Sequence, residues 1–86
     1  METSEDPNQR YAHEIAANEK LAEAAYDAMY EARPHAVRDC FDDACGYLAE
    51  AISIATGAGL DDEVTRLTAR RDHITKVYDS QFRGIG

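Results

Sequence analysis

Three histidines, two cysteines and a cluster of arginines hold most of the side chains in this sequence that could do chemistry. His35 precedes Asp39 by four positions, so the imidazole and the carboxylate would share one helix face. A zinc site needs at least one more protein ligand, and no further ligand follows at a matching spacing. His73 sits between Asp72 and Ile74, off the apolar stripe of its segment, and reads as a surface residue, as does His13. Cys40 and Cys45 stand five apart. Five helical steps turn about 500°, which leaves the two thiols ~140° apart and unable to bridge within one helix. They therefore read as small, half-buried side chains in a reducing compartment, and the expected location is the cytoplasm. The serines Ser4, Ser53 and Ser80 have no base near them in the local sequence, and no ExxH, HExxH, GxSxG, P-loop or GxGxxG pattern occurs. The sequence thus predicts no catalytic residue, no cofactor and no metal ligand.

Arg66, Arg70 and Lys76 form the one candidate basic patch, with Arg71 beside them. A recognition helix for nucleic acid can carry such residues. The rest of the chain opposes it, because residues 1–63 hold 15 acids against 4 bases and the whole chain has a net charge of −8. A body this acidic repels a phosphate backbone and an anionic membrane surface, so nucleic acid is the weaker of two partner classes. The other class is protein. Gly46, Ala49, Ser53 and Gly57 recur at threes and fours on one helix face, and small residues at that spacing let a second helix approach closely. This stripe is the candidate surface for self-association or for a partner helix.

These residues need helices to position them. With 86 residues and 44% apolar composition, the chain suits one domain with a modest core. Its only prolines are Pro7 and Pro34, and no strand-like alternation persists beyond a few positions. The predicted fold is an all-α, antiparallel up-down-up three-helix bundle spanning 7–84, with helices over about 7–32, 34–56 and 61–83 and a disordered segment over 1–6. The first helix is capped by Asp6 and presents Tyr11, Ile15, Ala22, Ala25, Tyr26 and Met29 on one face. The second carries the widest apolar arc, Val37, Cys40, Phe41, Ala44, Tyr47, Leu48, Ala51, Ile52, Ile54 and Ala55, and so belongs at the centre. Gly57-Ala-Gly59 ends it, Leu60 and Asp61 read as staple and N-cap, and Val64, Leu67, Ile74, Val77, Tyr78 and Phe82 form the third stripe. The alternative is one long helix kinked at Pro34, which would need a dimer partner to bury its stripe.

Asn18, Glu19 and Arg71 fall on or beside faces that should be buried. Counted from the helix starts, Asn18 and Arg71 lie at similar height on parallel helices, which predicts a polar layer that fixes register across the bundle. No window approaches a membrane span, and the acidic start is unlike a signal peptide.

Two local resemblances bear on function. Ala12-His13-Glu14-Ile15-Ala16 resembles the phosphorylated-histidine segment of histidine phosphotransfer domains. It has Ala16 and Ala17 where that family carries lysine and glycine, and those domains are longer and built on four helices. Ala44-x-x-x-Leu48-x-x-Ala51, with the glycine-containing turn and Asp61 after it, looks like the second helix of a tetratricopeptide unit over residues 40–62. No second copy follows at a 34-residue offset. That resemblance implies a peptide-binding or scaffolding role. Together with the small-residue stripe it gives the expected function: a small protein-interaction or assembly module, with a nucleic-acid-associated regulator using Arg66, Arg70 and Lys76 as the alternative.

Overall fold

The computed structural model describes residues 7–82. They form α1 (Pro7–Glu31), α2 (Pro34–Gly57) and α3 (Asp61–Val77), followed by a π-helical turn, Tyr78–Phe82. Asp6 as a cap, the expected disorder of 1–6 and the expected end of the third helix at 83 lie outside the described residues.

Pro34 breaks the chain rather than bending it. The proline ring disfavours helical geometry in the residue before it, and Arg33 is extended at φ −66°, ψ 155°. Pro34 then opens α2 at a position where its missing N–H costs no bond. The three helices pack as an up-down-up bundle, with α2 against both neighbours.

Burial follows heptads. The fully covered positions are Ile15, Ala22 and Met29 on α1, Val37, Ala44, Leu48, Ala51 and Ala55 on α2, and Leu67 and Ile74 on α3. Steps of three, four and seven keep these positions on one seam per helix, as in a coiled coil. Four of the ten are alanine, and a methyl group at the seam lets backbones pack closely. The sequence-predicted stripes contain all ten of these residues. Two aromatics predicted on them, Tyr11 and Tyr47, remain 36% exposed at the seam edges.

The α2–α3 turn corrects one assignment. Leu60, not Asp61, is the N-cap of α3, and it makes no side-chain cap bond. The reason is that Leu60 already ends α2. Its N–H donates to the Ala55 carbonyl at 2.9 Å, and the Gly59 N–H donates to Thr56 at 3.1 Å. With Gly59 at φ +73° this is a Schellman motif, which also packs Leu60 onto the core. The acids Asp61, Asp62 and Glu63 fall in the first turn of α3, where the helix dipole favours them.

Two glycines should therefore respond oppositely to alanine. Gly59→Ala forces a side chain into the left-handed region and should destabilise by about 1 kcal/mol. Gly46→Ala adds a methyl that meets nothing within 4 Å and should stabilise by roughly 0.5–1 kcal/mol through helix propensity. Urea unfolding of the two variants checks this, and shifts of the same sign would contradict the cap geometry.

The π turn ties the end of the bundle together. Tyr78 stacks on Phe41 of α2 with centroids 4.1 Å apart, while Phe82 meets Tyr30 of α1 edge-on at 5.2 Å.

Candidate functional site

Two of the three predicted basic-patch residues, Arg66 and Arg70, are engaged by carboxylates of α1 at the surface of the bundle. Arg66 on α3 donates to both oxygens of Glu19 on α1, at 2.5 and 3.0 Å, and also to Glu63 at 2.5 Å. One turn on, Arg70 grips Glu23 with its Nε and a terminal nitrogen, at 2.7 and 2.6 Å, and lies 5.2 Å over the Tyr26 ring. His73 meets the same ring edge-on. The pairs 19–66, 23–70 and 26–73 share an offset of 47, which is the parallel register of α1 and α3. These side chains close a seam where the two backbones stand well apart. Lys76 is exposed and lies six residues past Arg70, about 120° round the helix. The three cations thus share no free surface.

Glu23 answers to the same geometry. The Arg70 hydrogen bond holds the Glu23 carboxyl below its ordinary 4.5, against the opposing effect of burial. A depressed carboxylate contributes stability that is present above its unfolded pKa and is lost as pH falls through the folded value, so the window opens below about 4.5. We expect wild type to be modestly more stable than Glu23→Gln at pH 7. The gap should close as pH is lowered through that window, as followed by thermal unfolding at a series of pH values. The partners are more than a third exposed on one side, which keeps the effect small. A gap unchanged down to pH 2 would show that the pair is not the cause.

The expected polar layer forms differently from the prediction. Arg71 does not reach Asn18 or Glu19. Asn18 donates to the Glu14 carbonyl at 3.1 Å and borders Gly46 and Tyr47 in the α1–α2 groove. Arg71 is half-buried on the other side of α2, where its charge is felt by the Cys45 thiol. Both residues do lie on inner seams, but α2 stands between them. Glu19 takes Arg66 instead, and no polar residue is fully buried among the described residues.

The remaining chemistry-bearing groups stay apart. His13 and His35 are exposed at separate places on α1 and α2. Cys40 and Cys45 are free and half-buried. Burial pushes the Cys45 thiol up, and its Sγ stands 4.0 Å from the Thr75 hydroxyl. Among the described residues no three His, Cys, Asp or Glu side chains gather as a metal site. A cleft of about 760 Å³ opens between the start of α2 and the π turn, lined by Pro34, His35, Arg38, Phe41, Thr75 and Tyr78, with Asp79 at its edge.

Two helix faces remain open. Gly46, Ala49, Ser53 and Gly57 are all exposed on the outer side of α2. Carboxylates border this stripe: Asp42, Asp43 and Glu50 line the shallow groove beside Gly46. The second open face is not among the surfaces the sequence predicts. Beside its buried seam, α1 carries Ala17, Leu21, Ala24 and Ala28 at steps of four, three and four, all exposed, with Leu21 at 49%. The signal was present as a second heptad offset from the first. Ala17, Ala24 and Ala28 are also ordinary helix formers, which masks it.

No helix among the described residues is long and apolar enough to cross a membrane. No family model, no curated protein and no solved structure matches this chain.

Proposed function

We propose that this chain is a small helical interaction and assembly module that works by burying an open helix face against another protein. The observation that carries the reading is the second seam of α1: a regular apolar heptad, with a large leucine at its centre, that stays exposed among the described residues. The described residues complete their core without that seam, so the pattern has no use in their packing. The reading involves no catalysis. Its two free, half-buried thiols fit a reducing, cytoplasmic setting.

The alternative of a nucleic-acid regulator loses support from the same geometry. Arg66 and Arg70 would have to leave Glu19 and Glu23 before meeting phosphate, and those carboxylates would remain nearby. Of the two open faces, the Gly46 stripe suits self-pairing poorly. Asp43 and Glu50 lie one turn on either side of Gly46, so a twofold crossing there sets Asp43 against Glu50 of the partner subunit.

Site-specific photo-crosslinking in cells tests the proposal. A crosslinker in place of Leu21 should give discrete protein adducts, and one in place of Lys76 should not. Adducts with nucleic acid from position 76, and none with protein from position 21, would defeat it.

A further inference from the structure

We propose that the outer seam of α1 is a homodimer interface, in which two α1 helices pair antiparallel about a twofold axis. The inference rests on the interaction-module reading and names its partner as a second copy of this chain.

The seam is complementary to itself. Antiparallel pairing about its middle sets Ala17 opposite Ala28 of the partner subunit and Leu21 opposite Ala24 of the partner subunit. Each large residue then faces a small one, and the alanines allow close approach of the backbones. The twofold axis repeats both contacts, as an isologous interface requires. Leu21, half exposed in the single chain, becomes the central buried residue.

Charge points to the same occupant. Lys20 and Asp27 are seven apart, so they flank the seam on one side and at one heptad position. Among the described residues neither has an ion-pair partner within the chain. In an antiparallel pair, equivalent flanks face each other. Lys20 therefore meets Asp27 of the partner subunit, and the symmetry makes this pair twice. The ends of the seam act against it, because Glu14 falls opposite Glu31 of the partner subunit. The interface is consequently short, bounded by like charges and dependent on concentration.

Sedimentation equilibrium of the full chain over a wide concentration range tests the proposal, with circular dichroism as the control for folding. Wild type should show a reversible monomer–dimer equilibrium. Leu21→Glu should weaken it at least about tenfold at unchanged helix content, since position 21 is outside the core. Lys20→Asp should weaken it, and the double variant Lys20→Asp/Asp27→Lys should restore it. Glu14→Lys should tighten it, and Gly46→Leu should leave it unchanged. A wild type that stays monomeric at every concentration, or a dimer indifferent to Leu21→Glu, would overturn the proposal. The mass of the position-21 crosslink separates the two readings. Twice the chain mass supports the second copy, whereas an adduct with a different protein removes the homodimer and leaves the module standing.

Discussion

Leu48→Ala should be among the most damaging single truncations in this chain, lowering stability by about 2–5 kcal/mol. Leu48 is fully buried on α2, the helix that packs against both others, so the cavity it leaves is lined from two sides. A two-sided wall relaxes poorly, which places the cost toward the upper part of that range. Small domains have total stabilities toward the low end of about 5–15 kcal/mol, so the loss is a large share of the whole. Thermal unfolding should show a Tm lower by at least about 10 °C, at roughly 4–8 °C per kcal/mol for a domain of this size. At concentrations where the chain is monomeric, Leu21→Ala removes the same atoms from a half-exposed site and should move Tm by only a few degrees. Equal effects at 48 and 21 would mean that α2 is not the common core.

The parts of this architecture that were legible in the sequence are those set by local chemistry. Pro34 forces Arg33 out of helical geometry whatever surrounds it, so the break between α1 and α2 follows from two residues. The central place of α2 follows from the width of its apolar arc. The shift of the α3 cap from Asp61 to Leu60 was not legible, because it depends on which carbonyl of α2 the Leu60 N–H finds once Gly59 has turned the chain. Register between helices lies still further from the sequence. The pairing of Glu19 with Arg66 rather than Arg71 is fixed by the 47-residue offset of α1 and α3, and that offset depends on both turns together. The rotation of each helix about its own axis decides the rest. Asn18 and Arg71 are both on inner seams, yet they sit on opposite flanks of α2 because each helix turns its seam toward the shared core.

The same logic separates what the open faces can do. An exposed stripe has functional content only when its spacing, its size pattern and its flanking charges agree. On α2 the spacing around Gly46 is helical, but the flanks are carboxylates of one sign. On α1 the spacing, the single large residue and the opposite charges of Lys20 and Asp27 agree with one arrangement. The arginines of α3 show the converse case. They looked available in sequence because acids distant in the chain, Glu19 and Glu23, were not yet beside them. A basic cluster in an acidic chain is first a candidate for its own neighbours.

Overpacking should test the close helix contact as sharply as truncation tests the core. Ala22 is fully buried on α1 and belongs to the same core cluster as Ala44, Ala51 and Ala55 of α2. Methyl groups on both sides set the spacing of α1 and α2, so Ala22→Leu must either displace the helices or adopt a poor rotamer. Either response costs about 1–3 kcal/mol, and the cost rises when the wall is backbone and methyl rather than flexible side chain. Displacement also pulls α1 away from α3, which lengthens the Glu19–Arg66 and Glu23–Arg70 contacts that close the opposite seam. The expected result is a fall in Tm together with a weaker dependence of stability on acid pH, since Glu23 loses the partner that depresses its pKa. Ala49→Leu makes the same chemical change on the exposed side of α2 and should be nearly neutral. A loss of stability in Ala22→Leu with the acid dependence intact would show that the helices stay in place and the strain is held in the side chain alone.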